Sequence, residues 1–454
     1  GVNNAFDDGS ASNHTITANG NVTQGSFGPF AREEGYWGVK FDGNDYLDAN
    51  DGVTFGSGNF TIEMFANFTT GAANCIFFGG RPTGVAGDYP VLIFISSDSS
   101  LQYNVGGSQI TGGTITLNTW HHIAICRSSS STKMFLDGTQ IGNTYSDSTT
   151  YVDGGRMRLG NSGYNAGGGI NGFLSNVRVV NAAIYTSNFT VPTSPLTAVT
   201  NTKLLACQSN RFVDKSASPL TLTPTGDTAV TAFGPFLTSE VYDAAVNGAS
   251  AYFDGGDAFL TVSDSADLTP GNTFTFDAWI YPQVLNNYNT IMSQDGSTGY
   301  YWSILANGTL QFYTGGGGGS GGTHNSASGV VQLNQWNHVA YSVSGGTGYH
   351  FVNGVRSGSS HSNDIPNIAE NLLVGVQKVS SFDLYGYGTD FRLVVGTALY
   401  TGSTYTIPTA PLTAITNTKL LLSMADGQAI DSAAQNNMTL LGNTKLSTTQ
   451  AKFG

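Results

Sequence analysis

Short stretches of alternating apolar and polar residues, bounded by turn residues, run along most of this chain. In FTIEMFANF, residues 60–68, strict alternation places a set of apolar side chains on one face: Phe60, Ile62, Met64, Ala66 and Phe68. FTFDAWIYP, residues 274–282, repeats the pattern. A period of two predicts β-strands with one face toward a core. The opposite face is mixed, with Thr, Glu, Phe and Asn, and we expect another sheet or a groove to cover it.

A second pattern occurs twice with the same internal spacing. LNTWHHIAICRSSSSTKMFLDG, residues 117–138, returns as LNQWNHVAYSVSGGTGYHFVNG, residues 333–354. Each copy predicts a strand, a short polar turn and a second strand that ends in Asp-Gly or Asn-Gly, dipeptides typical of tight hairpin turns. The unit is therefore predicted to be a β-hairpin within a domain that is present at least twice.

A third repeat sets the predicted domain organisation. FDDGSASNHTITANGNVTQGSFGPF, residues 6–30, returns at 212–236 and more weakly at 429–454, and a nearly identical stretch from Pro192 and from Pro408 marks the joints. We predict repeat 1 over 1–202, repeat 2 over 203–418, and in 419–454 the start of a third repeat or a strand-donating segment. We expect the sequence to be cut from a longer array.

Composition supports a β-fold and restricts the partners. The 454 residues include 60 Gly and only 10% charged residues, which is typical of short strands joined by many turns. A net charge of −13 repels phosphate backbones, so nucleic acid is not an expected partner. No apolar run is long enough to span a bilayer, and no signal-peptide pattern is visible, so no membrane insertion is expected.

The cysteines indicate free thiols rather than disulfides. Cys75, Cys126 and Cys207 are odd in number, and the positions that match Cys75 and Cys126 in the second repeat are polar residues without sulfur. A disulfide framework would be expected to recur with the fold. We therefore predict buried free thiols and folding in a reducing cytoplasm.

Together the motifs resemble a known family. The order F-D-G…Y-L, F-T-I-E, L-N-x-W-x-H-[IV]-A, F-[LV]-[DN]-G and R-[VL]-V…Y-T…P is similar to the concanavalin A-like, or laminin-G-like, jelly-roll domains. This resemblance implies an all-β chain of tandem antiparallel jelly-roll β-sandwiches. In this family N-T-K-L-L opens the following domain, so the first unit is expected to lack its opening strand.

The tandem form with the linker L-T-A-[VI]-T-N-T-K-L-L resembles virion proteins of tailed phages, especially marine ones: fibres, tail adhesins and capsid decorations. That resemblance implies a place on the virion surface after synthesis in the host cytoplasm. The partners it implies are other virion proteins, copies of the chain itself and host-surface glycans.

Catalysis is not expected from the residues present. The resemblance includes glucanases, which place two Glu and an Asp at alternate positions of one strand, and retaining hydrolysis needs such a carboxyl pair. Glu63 and Asp277 each lack a second carboxylate on their strands. His122 and His338 recur at one place, but no second ligand keeps metal-site spacing in both copies. We expect a non-enzymatic protein in which these histidines are hydrogen-bonded structural residues.

Calcium is a candidate ligand, because Ca²⁺ is coordinated by carboxylates and by turn carbonyls. Asp42 and Asp45 recur as Asp254 and Asp257 in F-D-G turns, and laminin-G-like domains often bind calcium at a sheet rim. The alternative is that each Asp caps the backbone of its own turn.

Sugar binding would need exposed aromatic faces beside polar groups. The candidate residues are Tyr164, Asn165, Tyr288, Tyr301, Trp302, Tyr385 and Tyr387. We predict a non-enzymatic virion structural protein whose lectin-like domains bind host or environmental glycans. The alternatives are a purely structural spacer or decoration without a ligand, and a bacterial cell-surface adhesin.

Overall fold

Two β-sandwiches account for the strands of the computed structural model, which describes residues 6–70, 75–82, 85, 87–95, 98–161, 168–236, 243–294, 299–315, 322–377 and 382–425. The first compact unit is Arg32–Thr238, and the second combines Gly1–Ala31 with Ser239–Gly454. The predicted boundaries at 202 and 418 follow the repeat in the sequence but not the compact units. The physical reason is that strands from one repeat complete the sandwich of another.

The strands are as follows. The N-terminal segment holds β1 (Ile16–Asn19) and β2 (Thr23–Gly25). The first unit holds β3 (Gly38–Asp42), β4 (Tyr46–Ala49), β5 (Phe60–Phe68), β6 (Cys75–Gly79), β7 (Val91–Ile95), β8 (Ser100–Asn104), β9 (Ser108–Gly112), β10 (Trp120–Ser128), β11 (Ser131–Leu136), β12 (Thr139–Ser146), β13 (Met157–Leu159), β14 (Asn171–Val180), β15 (Thr202–Ala206), β16 (Leu222–Thr225) and β17 (Ala229–Thr231). The second unit continues with helix α1 (Ala244–Asn247), β18 (Ser250–Asp254), β19 (Phe259–Val262), a 3₁₀ turn (Ala266–Leu268), β20 (Phe274–Pro282), β21 (Tyr288–Gln294), β22 (Tyr300–Leu305), β23 (Leu310–Thr314), β24 (Gly322–Asn325), β25 (Asn337–Ser344), β26 (Thr347–Val352), β27 (Val355–Ser362), β28 (Leu372–Val374), β29 (Val376–Gln377), β30 (Phe382–Asp383), β31 (Tyr385–Val395) and β32 (Thr418–Leu422).

Each unit has two large antiparallel sheets, and in the second unit β29 and β30 form a further two-stranded sheet. In the first unit the orders are β12-β11-β10-β5-β14-β3-β17, with β15 also on β14, and β16-β4-β13-β6-β7-β8-β9. In the second unit they are β27-β26-β25-β20-β31-β18-β2, with β32 also on β31, and β1-β19-β28-β21-β22-β23-β24. The two units have the same topology, so the prediction of tandem all-β jelly-roll sandwiches is confirmed.

The predicted inward faces form the cores. All the alternate apolar residues of β5 are fully buried, and Phe68 meets Phe77 of the opposing sheet with ring centroids 5.4 Å apart. In the second unit Phe276 lies 6.2 Å from Trp302 across the sandwich. Interdigitation of the two inner faces is how a sandwich buries its apolar side chains.

The mixed face of β5 is buried as well, because the chain after β14 folds back over it. Tyr185 and Phe189 of that segment stack with ring centroids 3.7 Å apart and pack on the small cluster Ala124, Cys126 and Phe135. Tyr400 and Tyr405 stack in the same way in the second unit, at 3.9 Å. The predicted cover for this face was another sheet or a groove, whereas the structure covers it with an irregular segment of the same chain.

The hairpin turn predicted from Asp-Gly holds that covering segment in place. Asp137 and Gly138 have φ values of 48° and 77°, as a type I′ turn requires. The Phe189 amide donates to the Gly138 carbonyl at 2.9 Å, and a Cβ on Gly138 would lie 2.1 Å from the Phe189 carbonyl oxygen. Only glycine fits there.

The N-T-K-L-L strand does not open the following domain, contrary to the prediction from the family. β15 pairs with β14, placing Val177 opposite Ala206, and β32 pairs with β31 in the same way. Because this strand closes the sandwich that precedes it, the first unit does not lack an opening strand.

The cysteine prediction is confirmed: Cys75, Cys126 and Cys207 are buried and form no disulfide. Within the described residues, no helix is long and apolar enough to cross a membrane.

Candidate functional site

Four partly exposed aromatic side chains form a strip on the outward side of the second unit, along β30, β21, β22 and β23. Phe382 stacks on Tyr288 with ring centroids 4.2 Å apart, and Tyr288 meets Tyr301 edge-on at 5.9 Å. Tyr301 stacks on Tyr313 at 4.8 Å. We call these four residues the aromatic strip. Strands position it directly, since Tyr301 and Tyr313 are cross-strand partners.

A pocket of about 500 Å³ adjoins one end of this strip. Its lining combines apolar and polar side chains: Gly255, Leu285, Asn286, Asn287, Tyr288, Ala306, Phe382 and Asp383. The side-chain amides can donate and accept hydrogen bonds, and the carboxylate can accept them. Aromatic faces beside such groups are the arrangement that contacts both the C–H face and the hydroxyls of a sugar ring.

The site has a negative potential that neighbouring carboxylates reinforce. Partial burial, followed by the charges of Asp254 and Asp257, raises the pKa of Asp383 above its ordinary value. Burial and the neighbouring Tyr288 and Tyr313 raise the pKa of Tyr301 to about 12. The phenol is therefore neutral at physiological pH and can both donate and accept. Anionic ligands are disfavoured at this end of the unit.

The structure brings some of the predicted sugar-binding residues together. Tyr288 and Tyr301 lie side by side, and Tyr385 packs against Gly255 of the pocket. Tyr387 instead faces Phe27, 5.1 Å away.

Three other predicted residues do not join the aromatic strip, and three residues of the site were not predicted. Trp302 was predicted as an exposed residue, but it is fully buried in the core. The reason is that successive side chains of a strand point to opposite faces, so Trp302 faces the core where Tyr301 faces outward. Tyr164 and Asn165 lie outside the described residues. The prediction missed Tyr313, Phe382 and Asp383. Of these, Tyr313 could have been found by pairing the outward positions of the YYWSIL and LQFYT strands.

The first unit does not repeat the central pair of the strip. Its corresponding hairpin, β7 and β8, pairs Val91 with Asn104 where the second unit pairs Tyr301 with Tyr313. Within the described residues, the strip is thus a feature of the second unit.

The predicted calcium residues Asp42, Asp45 and Asp254 accept backbone amides of their own turns, and Asp45 also accepts the amide of the distant residue Asp227. Asp45 is buried, and its carboxylate accepts the amides of Asp42 at 3.1 Å and Asp227 at 2.9 Å. Asp254 accepts the amide of Gly256 at 3.0 Å. Among the residues that the structure describes, no three His, Cys, Asp or Glu side chains converge as metal ligands. Calcium binding near Asp254 and Asp257 stays a prediction.

The strand carboxylates considered for catalysis are buried in ion-pair networks. Arg178 donates two hydrogen bonds to Glu63 Oε1, at 2.6 and 2.9 Å, and the Tyr185 hydroxyl donates to Oε2 at 2.8 Å. His122 Nε2 lies 3.2 Å from the same oxygen. Burial alone would raise the pKa of Glu63, but the hydrogen bond from His122 and the charge of Arg178 outweigh it, so that pKa lies below its ordinary value.

The second unit builds the same network with a shorter carboxylate. Arg392 donates to both oxygens of Asp277, at 3.0 and 2.6 Å, and Tyr400 donates to Oδ2 at 2.8 Å. His338, which hydrogen-bonds Tyr405, lies 3.9 Å from Asp277. The histidines are therefore buried structural residues, as predicted, although their partners are side chains of the network. Within the second unit, Asp277 lies on β20, in the other sheet from the one that carries Tyr288, Tyr301 and Tyr313.

A family model for the concanavalin A-like lectin/glucanases superfamily matches residues 41–187 and 254–394, more than half of the chain. No curated protein matches.

Among solved structures, mouse laminin α1 chain domains LG4-5 are 11% identical, with 82% of this chain and 94% of that chain covered and a TM-score of 0.26. A putative carbohydrate-binding protein of Bacteroides ovatus is 16% identical, with 43% and 59% covered and a TM-score of 0.32. A heptameric SAP-like pentraxin of Limulus polyphemus is 16% identical, with 33% and 78% covered and a TM-score of 0.28. These scores are too low to carry an inference from those proteins to this chain.

Proposed function

Because the chain belongs to the concanavalin A-like lectin/glucanases superfamily, we propose that its second unit binds carbohydrate on the aromatic strip and in the adjoining pocket. The observation that carries this proposal is the continuous row of Phe382, Tyr288, Tyr301 and Tyr313 on an outward sheet face. Aromatic rings that are not needed in the core cost solubility, so a row of them beside amides and a carboxylate favours a ligand-binding role.

The ligand class follows from the charge of the site. Asp383 lies in the pocket, Asp254 and Asp257 are close enough to raise its pKa, and the chain carries a net charge of −13. Sialylated or uronic-acid glycans would meet like charge here. We therefore propose neutral glycans as the ligands.

We further propose that the protein is a structural component of a phage virion surface, a fibre, a tail adhesin or a capsid decoration, which displays this site toward host or environmental glycans. The tandem organisation, the acidic surface and the resemblance of the linker motif support this role. A non-enzymatic role is supported by Glu63 and Asp277, whose carboxylates are committed to buried arginines.

The test is a glycan array that contains neutral and acidic glycans, probed with the full chain in calcium and then in chelator. We expect selective binding to neutral glycans, and Tyr301→Ala should weaken it about tenfold, or ~1.4 kcal/mol, through loss of ring stacking. Tyr301→Phe keeps the ring and is the matched control that should retain most of the binding. Tyr349→Ala, on another sheet, controls for general loss of aromatic surface.

The outcomes separate the alternatives. Loss of binding in chelator alone would assign a role to the Asp254 region. Binding that is unchanged in Tyr301→Ala would overturn the proposed site. Silence of the folded protein in both conditions would favour a spacer or decoration without a ligand.

A further inference from the structure

Each sandwich is completed by a short segment, and the two segments have different origins in the chain. We call residues 6–31 and 212–236 the closing segments. In the first unit the segment follows β15 directly and adds β16 to β4 and β17 to β3. In the second unit the N-terminal segment adds β1 to β19 and β2 to β18. Sandwich 2 is therefore closed by a segment that precedes sandwich 1.

Both closing segments are anchored by the same aspartate motif. Asp8 accepts the amides of Ser10, His14 and Leu421 and the hydroxyl of Ser10, all at 2.8–2.9 Å. Asp214 accepts the corresponding four donors, which are the amides of Ser216, Leu220 and Leu205 and the Ser216 hydroxyl, at 2.8–2.9 Å. Asp8 and Asp214 are each 5% exposed, so these hydrogen bonds are shielded from water.

The F-G-P-F end of each segment fills a matching aromatic site. Phe27 packs against Trp336 at 5.5 Å and Tyr387 at 5.1 Å. In the first unit Phe233 packs against the equivalent residues, Trp120 at 5.3 Å and Phe173 at 4.9 Å.

The second phenylalanine of the motif is also bound alike. Phe30 meets Trp279 at 5.6 Å, and Phe236 meets Phe65 at 5.0 Å. The two closing segments thus bind their sandwiches through the same kinds of contact.

The sequence contains a further, weaker match to the closing segments. Residues 429–454 resemble 6–30 and follow β32 just as 212–236 follow β15. Their structure lies outside the described residues. The chain therefore carries a third, weaker copy of the closing-segment sequence after the second unit.

We propose that the closing site of the second unit, at β18 and β19, accepts the N-terminal closing segment of a second copy of the chain. The occupant is fixed by the contacts already described, because residues 6–31 of another copy are chemically identical to those that fill the site here. An N-terminal segment that leaves the closing site of its own chain exposes the apolar residues Phe6, Val22 and Phe27, which are buried when the segment is bound and which the closing site of another copy can bury again. Exchange of a segment between identical chains is a low-cost route to association.

The test uses variants of the full chain in which Cys75, Cys126 and Cys207 are replaced by Ala and a single cysteine is introduced. Thr17 and Thr261 are register partners between the segment and β19, so a Thr17→Cys chain and a Thr261→Cys chain can form a disulfide with each other only if a segment crosses between copies. The two are mixed in urea, refolded together over a range of concentrations and oxidised. The matched control is Thr223→Cys with Asp48→Cys, the equivalent partners in the first unit, where the segment directly follows its own sandwich.

We expect a covalent heterodimer from the second-unit pair at a yield at least tenfold above the first-unit pair, rising with protein concentration, and reduced by Asp8→Ala in the donating chain. Equal yields in both units would indicate nonspecific swapping and overturn the proposal. So would an intrachain disulfide in the Thr17→Cys/Thr261→Cys double variant without any heterodimer from the mixed single variants. Failure of that double variant to form a disulfide at all would overturn the placement of the segment itself.

Discussion

Three histidines in the second unit should make its stability depend on acid. His350 is fully buried in β26, and its Nε2–H donates to the His324 carbonyl at 3.0 Å. The His324 ring lies 4.4 Å from that of His361. Burial, together with the neighbouring imidazoles, lowers the pKa of His350 to about 3. Burial and His361 lower the pKa of His324 to about 4.

The sign follows from proton uptake. A histidine whose pKa is lowered by folding binds fewer protons in the folded state than in the unfolded state. Its contribution to stability is therefore present above the unfolded pKa of about 6.5. That contribution is lost as the pH falls from 6.5 toward the folded pKa. Between pH 6.5 and pH 4.5, His350 alone should cost about 2 kcal/mol of unfolding free energy, because the unfolded histidine is already half protonated at pH 6.5. His324 and His361 act in the same direction but share one site, so their effects do not add.

In the first unit, His121 should give the stability a pH dependence of the opposite sign. The hydrogen bond that His121 Nδ1–H donates to Asp137 Oδ2, at 2.7 Å, raises the pKa of His121. That contribution is present below pH ~6.5 and is lost as the pH rises through the folded pKa. The two units should therefore respond differently to mild acid.

The assay is pulse proteolysis over a urea series at pH 7.5, 5.5 and 4.5, with the fragments assigned to each unit by mass spectrometry. His350→Gln removes the titrating group and keeps a polar side chain at that position, so it should abolish most of the loss of about 3 kcal/mol between the two extremes of pH. His121→Gln in the first unit is the control and should leave the second unit unchanged. If His350→Gln kept the full pH dependence of the wild type, the histidine account would be refuted.

Three further outcomes are expected. Glu63→Gln should destabilise the first unit by about 3–5 kcal/mol, because it leaves the charge of Arg178 buried without compensation, and urea unfolding would measure this. Gly138→Ala should cost more than ~2 kcal/mol, since φ is +77° and the new Cβ would overlap the Phe189 carbonyl; Gly43→Ala, with positive φ but open space around it, is the control and should cost about 1 kcal/mol. The cysteines should resist a thiol reagent until the protein unfolds, because all three are buried, and rapid labelling in native buffer would contradict this.

The sequence predicted the parts of the fold that follow from local chemistry. Alternation in β5 and β20 identified the core faces, since a strand has only two sides and one of them is apolar throughout. The Asp-Gly and Asn-Gly dipeptides identified both hairpin turns because positive φ at consecutive positions leaves few residue choices.

Alternation could not show which side chains of the aromatic strand YYWSIL face the core. In YYWSIL both faces of the strand carry large side chains, so Trp302 and Tyr301 could not be distinguished without the partner strand. Phe382 and Asp383 lie in a two-residue strand, β30, which has no periodicity to detect. The site consequently emerges only when the register places Tyr313 beside Tyr301.

The unit boundaries could not be predicted from the sequence for a different reason. A repeat read along the chain has the same period wherever it is cut, so the sequence pattern is equally consistent with a closing segment that begins a domain or one that ends it. Only strand pairing decides, and β15 and β16 pair backwards onto the first unit.

Pairing backwards also explains how tandem copies of this fold cover one edge of each large sheet. Without a closing segment, β4 and β3 in the first unit, or β19 and β18 in the second, would present unpaired backbone groups, which are templates for nonspecific association. A segment that follows its own sandwich covers those strands as soon as the chain is made, and the new edge strands are only three or four residues long. Where the segment comes from elsewhere, the same edges bind only a segment that carries the Asp anchor and the F-G-P-F end. The second unit can thus serve as the point where one copy recognises another, while the first unit is closed by the chain that immediately follows it.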